Sequence, residues 1–272
     1  MATPLVITSR QNPRVKDAVR LRTGRERQRS GRFLIDGQRE IERALAAGIR
    51  PIEAFFCETR DDAQLAETTI ALRDAGAELL PVTADVFEKL CFGERDATGI
   101  VVVAATPSRR LSDVRLTAEP LVAVVEGVEK PGNLGAVLRS ADAAGLDAVI
   151  VADGRTDLFN PNTIRASLGT VFRPNVVAAS TAETIAWLES HGLKIVAAKP
   201  DAETLYTEVD LRGPTALVLG SEAHGLSAAW TGERSVPIRL PMHGLADSLN
   251  VSTTAAVLFY EALRQRSGSQ QA

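Results

Sequence analysis

Ser248-Leu249-Asn250-Val251-Ser252 follows a Pro-Met pair, Pro241 and Met242, and opens an apolar run from Thr253 to Leu263. Small polar residues directly before such a run mark a helix N-terminus. The free N–H groups and positive dipole end of a helix suit a polar or anionic ligand. Taken alone, Ser248 and Asn250 read as plain caps. Two upstream clusters change that reading. Pro131-Gly-Asn-Leu-Gly-Ala-Val-Leu-Arg-Ser140 follows an apolar strand, Leu121 to Val128. In Leu217-Val-Leu-Gly-Ser-Glu-Ala-His-Gly-Leu-Ser227 another apolar strand runs into a glycine loop. Asn133, Arg139, Glu222, Ser248 and Asn250 are thereby expected at strand ends or first helical turns. In open α/β sheets that edge is where ligands bind.

Outward from these junctions the chain alternates between strands and helices. Strands are predicted at Leu121–Val128, Ala148–Ala152, Asn175–Ala178, Lys194–Ala198, Ala216–Leu219 and Val236–Leu240. Helices are predicted at Leu134–Ala144, Pro161–Gly169, Ala182–His191 and Val251–Arg266. The strands are nearly continuous apolar runs, as parallel strands covered on both faces should be. Upstream, a second alternation covers an arginine-rich helix or helix pair at 10–30 broken near Gly24, then strands at Phe33–Gly37, Ile52–Cys57, Glu78–Val82 and Gly99–Ala105. Helices at Gln38–Ala47, Asp62–Ala75 and Ala84–Leu90 complete a smaller α/β/α unit. The expected division is 1–105 for this unit, a linker at 106–118, a main domain at 119–266 and a disordered tail at 267–272.

The three motifs, in this order, resemble those of the SpoU family of S-adenosylmethionine-dependent RNA ribose 2′-O-methyltransferases, within the SPOUT superfamily. Asn133, Gly135 and Arg139 match an N-x-G-x-x-x-R pattern. Leu219, Gly220, Glu222 and Gly225 match L-G-x-E-x-x-G, and Pro241-Met242 with Ser248–Ser252 matches the third motif. The resemblance spans about residues 119–266. It implies a SPOUT-type α/β domain with a deep trefoil knot, a feature periodicity cannot reveal and base rates oppose. It implies S-adenosylmethionine as cofactor, held largely by backbone at Leu219, Gly220, Leu240, Met242 and Leu249, although buried leucines need no ligand. It implies a catalytic set of Asn133, Arg139, Glu222, Ser248 and Asn250. Asn133 would hold the ribose or the arginine. Glu222 would orient Arg139 or offset positive charge, and Ser248 and Asn250 would bind the substrate phosphate or ribose. It also implies a homodimer through Val257, Leu258, Tyr260 and Leu263. The segment from Arg29 to Leu45 resembles the ribosomal-protein-like RNA-binding domain that precedes many SpoU catalytic domains, with Asp36 where that family more often has Glu.

Composition and charge narrow the remaining classes. Residues 10–32 hold nine basic side chains against two acidic ones, in a chain of 272 residues with a formal net charge of −3. A basic arm on an acidic body points to a directed contact, with RNA as the partner and Arg22, Arg25, Arg27, Arg29 and Arg32 as the binding cations. The plainer reading is a solvated helix face. Cys57 and Cys91 make neither a disulfide framework nor a zinc spacing, the histidines lack metal spacing, and no apolar run spans a bilayer. Residues 1–11 lack a signal core, so the expected location is the cytoplasm, with no metal and no membrane partner. No G-x-G-x-x-G follows a first strand, which counts against a dinucleotide oxidoreductase. A non-catalytic RNA-binding protein and a transfer-RNA methyltransferase stay open as alternatives to a ribosomal-RNA enzyme.

Overall fold

The computed structural model describes residues 5–57, 59, 63–92 and 99–267. In chain order the first elements are α1 (Pro13–Arg20), α2 (Gly24–Ser30), β1 (Arg32–Asp36), α3 (Gln38–Ala46), β2 (Pro51–Cys57), α4 (Ala63–Asp74), β3 (Glu78–Val82), α5 (Ala84–Leu90) and β4 (Ile100–Ala105). Next come β5 (Leu121–Glu126), α6 (Pro131–Ala143), β6 (Ala148–Ala152), α7 (Pro161–Ala166), β7 (Val176–Ala179), α8 (Thr181–Ser190), β8 (Lys194–Ala198), β9 (Thr215–Leu219), β10 (Ser235–Ile238) and α9 (Val251–Ser267). They form two compact units. The first contains residues 1–108 and 157–172, the second 109–156 and 173–272.

The first unit is built on a four-stranded sheet in the order β1-β4-β2-β3. Only the β2–β3 pair is parallel; β4 runs antiparallel to both neighbours. Helices α1 and α5 pack on one another, and Val15, Leu21, Phe55, Val82, Phe87 and Val103 share a buried cluster. Each such side chain contributes about 1.5–3 kcal/mol on burial. The excursion 157–172 supplies part of this unit. Phe159 and Phe172 stack on Phe33 at ring separations of 4.6 and 6.0 Å, and α7 packs on β1.

The second unit holds a six-stranded, wholly parallel sheet in the order β10-β8-β9-β5-β6-β7. Every residue of β5, β6 and β9 is buried, as their unbroken apolar runs require. The path β5 to β6 to β7 steps one way across the sheet, and β7 to β8 jumps back past the start. Right-handed crossovers then place α6 and α8 on opposite faces. Helix α9 packs on α6. The reversal leaves a switch point between β5 and β9, at the carboxyl ends of both strands.

Two expectations shift. Helix α6 starts at Pro131 rather than Leu134, because proline at the first helical position is pre-set in φ. Arg139 therefore lies two turns inside the helix, not in its first turn. Within 106–118, Leu111–Asp113 forms a 3₁₀ turn, and Arg109 donates to the Arg173 carbonyl at 2.8 Å, so this half of the stretch is stitched to the second unit. The expected tail lies outside the described residues except for Ser267, which ends α9.

Candidate active site

The site grows from the loop after β9. An ideal Cβ on Gly220 would lie 2.2 Å from the Gly225 carbonyl carbon and 2.4 Å from the Leu226 nitrogen. Only glycine allows that approach. Gly225 has φ +63°, and its N–H donates to the Ser221 carbonyl at 2.9 Å, closing a tight turn that carries Glu222.

Glu222 Oε1 accepts a hydrogen bond from Asn133 Nδ2. The other end of the same amide, Asn133 Oδ1, accepts from Asn250 Nδ2 at 3.3 Å. Asn250 Oδ1 in turn accepts from the Ser252 N–H at 2.9 Å and its hydroxyl at 2.6 Å, and its carbonyl receives the Thr254 N–H. Asn250 thus caps α9 while bridging to the start of α6. Glu222, Asn133 and Asn250 form one chain of hydrogen bonds across segments more than a hundred residues apart in the case of the two asparagines.

Ser248 lines a cleft with Leu219, Gly220, Leu240, Met242 and Leu249, and Glu222 and Asp247 share it. All five residues expected at the cofactor lie on this one cleft. Its walls suit an adenosyl group with a sulfonium: leucines, a backbone cradle at Gly220 that a Cβ would close, and two carboxylates. Arg139 is exposed, with no side-chain partner among the described residues. It is not held by Glu222, whose carboxylate is engaged by Asn133. An exposed arginine on α6 without an acid partner among the described residues is available to a phosphate.

Sequence reading overlooked Glu126. It ends the apolar strand β5, is 6% exposed, and accepts from the Thr181 hydroxyl at 2.8 Å, the Ser227 N–H at 2.7 Å and the Ser227 hydroxyl at 2.8 Å. This buried carboxylate ties the far end of the Glu222 loop to β5 and α8. The signal was a lone acid inside an otherwise apolar strand directly before Gly127.

In the first unit the basic arm is largely consumed by the fold. Arg27 is a correction: it is 5% exposed, ion-paired with Asp157 and donating to the Leu21 carbonyl at 2.8 Å. Arg22 is a second correction. Its Nη2 donates to the carbonyls of Lys89 and Cys91 at the end of α5, at 2.9 and 2.6 Å, and burial lowers its pKa. Neither is free for a phosphate. Arg10 pairs with Asp85 and Glu88, Arg14 with Glu53 and Glu78, Arg20 with Asp17, and Arg29 with Glu26. Of the nine cations, Lys16, Arg25 and Arg32 have no side-chain partner among the described residues. Asp36 is buried, which pushes its carboxyl up, while the Phe92 N–H at 2.6 Å and nearby Arg165 pull the other way.

Helix α9 keeps Leu258 and Phe259 in the core, so Leu258 is not available to a partner. Tyr260 is 52% exposed. No group of three His, Cys, Asp or Glu suited to a metal occurs among the described residues. No helix there is long and apolar enough to cross a membrane.

Residues 120–260 match the SpoU rRNA Methylase family and residues 12–100 an MRM3-like substrate binding domain. The 23S rRNA (guanosine(2553)-2′-O)-methyltransferase RlmP of Bacillus subtilis (strain 168) is 32% identical over 255 residues, covering 93% of this chain and 97% of its own. A crystal structure of an RNA 2′-O ribose methyltransferase superposes with TM-score 0.81 at 47% identity, covering 96% and 99% of the two chains. The SpoU methyltransferase AviRb of Streptomyces viridochromogenes, in complex with AdoMet, gives TM-score 0.86 at 28% identity, covering 94% and 98%. With the family match extending over more than half its length, the chain belongs to the SpoU rRNA methylase family.

Proposed function

We propose that this protein transfers the methyl group of S-adenosylmethionine to a ribose 2′-hydroxyl of ribosomal RNA, 23S rRNA being the substrate class of its relatives. The observation that carries this reading is the chain Glu222–Asn133–Asn250, which joins all three motifs beside the cleft. Bound in that cleft, the cofactor supplies an activated methyl group on a sulfonium. The weak partner is then the hydroxyl, and the residues act by placing it in line. Arg139 clamps the phosphate next to the acceptor ribose. A guanidinium is not a base at neutral pH, so the hydroxyl proton leaves to phosphate or water. Asn133 and Asn250 fix the ribose from the two helix starts, and Ser248 adds a hydroxyl at the cleft mouth. Glu222 and Asp247, on the same cleft, would offset the positive charge of the sulfonium.

The loop 199–214 supports the knotted path expected of the family. It bonds to chain on both sides of 240–250: Tyr206 N–H to the Arg239 carbonyl, and Gln265 and Arg266 side chains to the Val209 and Leu211 carbonyls. Lys16, Arg25 and Arg32 are the arm's remaining RNA contacts, with Arg29 in reserve through its exposed pair. Val257, Tyr260 and Leu263 form the homodimer surface, and the location is the cytoplasm.

The test is to incubate the protein with ribosomal RNA and methyl-labelled S-adenosylmethionine, digest to nucleosides and analyse by mass spectrometry. Label in a 2′-O-methylnucleoside is expected. Binding of RNA without any methylated nucleoside would make the protein a non-catalytic RNA binder.

A further inference from the structure

Two cations of the cleft take no part in placing the ribose. Lys199 directly follows β8 and Arg239 directly follows β10. These strands are parallel neighbours with Ile238 paired to Ala198, and the Lys199 N–H donates to the Ile238 carbonyl at 2.8 Å. The two cations therefore stand at equivalent positions on adjoining strand ends. Both are half-buried and both line the cleft. Neither side chain has a hydrogen bond or ion pair among the described residues. The nearby Glu208 carboxylate is already used, accepting the Leu205 N–H at 2.9 Å. Two half-buried cations on one cleft, neither answered by an acid among the described residues, suit an anionic ligand. The same cleft carries its carboxylates, Glu222 and Asp247, on other segments. Its charge is thus divided, cations at the strand ends and anions at the loop and the approach to α9.

A zwitterionic amino-acid tail next to a sulfonium has the complementary pattern. We propose that Lys199 and Arg239 seat the carboxylate of the cofactor's methionine tail, which sets its direction in the cleft. The assignment rests on S-adenosylmethionine occupying this cleft. A phosphate of the RNA backbone offers the same anionic chemistry, so the test separates the two sources.

Isothermal titration of the full chain without RNA compares S-adenosylmethionine with its decarboxylated analogue, which lacks only that carboxylate. The wild-type protein should prefer the carboxylated form by about tenfold to a hundredfold, the range of hydrogen bonds to charged groups. In the Lys199→Met, Arg239→Gln double variant the preference should vanish, with affinity for the decarboxylated form unchanged. Persistence of the preference in the double variant overturns the proposal. An intact preference with weakened RNA binding reassigns the pair to backbone phosphate and equally overturns it. If both ligands are lost, the charge-retaining pair Lys199→Arg and Arg239→Lys decides: recovery of the preference supports the seat, and no recovery overturns it. Failure of the wild-type protein to bind either ligand would instead remove the cofactor reading of the cleft on which the seat depends.

Discussion

The basic arm of the first unit and the motif cluster of the second make opposite use of polar residues. The arm is conspicuous in sequence, yet most of its charge is neutralised inside its own unit. Arg27 is buried against Asp157, Arg22 closes the end of α5, and Arg10 and Arg14 each hold two carboxylates. The motif residues are few and scattered, yet they converge. Asn133 reaches Glu222 and Asn250, and Arg139 has no side-chain partner among the described residues. Charge density along a chain therefore says little about charge available to a ligand. What counts is whether an acid elsewhere in the fold has already answered each cation.

Mutations that exchange the two behaviours test this contrast. The largest effect should come from Arg27→Ala, an arm residue. It removes a buried guanidinium with its stem and leaves the partly exposed Asp157 unpaired, a loss of about 3 kcal/mol. Urea unfolding should show that loss, while the salt slope of RNA binding by the folded fraction stays put. A changed salt slope at wild-type stability would return Arg27 to the RNA surface.

Arg139→Ala, in the motif cluster, should do the reverse. Methyl transfer should fall by about a hundredfold or more, with S-adenosylmethionine affinity by titration and the thermal midpoint close to wild type. Activity within a few-fold of wild type would break the assignment.

A smaller effect belongs to the arm's unpartnered cations. Replacing Lys16, Arg25 and Arg32 together with Gln should leave stability within about 0.5 kcal/mol of wild type. RNA affinity should drop, and its log–log salt slope should shrink by about 0.7–0.9 for each phosphate no longer neutralised. An unchanged slope would leave the whole arm structural.

The smallest effect is expected at Glu78. A hydrogen bond from Arg14 holds its carboxyl below the ordinary carboxylate range. A lowered folded-state value stabilises above the unfolded value and is lost as pH falls through the folded one. Glu78→Gln, which leaves the Arg14–Glu53 pair in place, should thus cost under about 1 kcal/mol at neutral pH, as exposed pairs do. Its deficit should narrow in acid. A deficit independent of pH would mean Glu78 acts by packing alone.

Nearly every element was legible beforehand because apolar periodicity and turn residues are local. β3, α5, β6 and β8 occur at their expected bounds. Where expectation slipped, as at the start of α6, a proline's φ had extended the helix by three residues. The candidate site was legible through its glycines and small polar residues, since a backbone cradle leaves glycine as its trace. Glu126 was not, because one acid in an apolar strand has no pattern of its own.

The sequence by itself determined the order of elements, the parallel character of the second sheet and the residues from which the site is drawn. These depend on side-chain size, polarity and backbone freedom within a few positions. Tertiary structure alone decided which polar groups answer one another. It sent Asp157 to Arg27, joined Asn133 to Glu222 and Asn250, and returned residues 157–172 to the first unit. The physical reason is distance: a hydrogen bond or ion pair forms within about 3 Å, and only the folded chain sets which remote groups come that close.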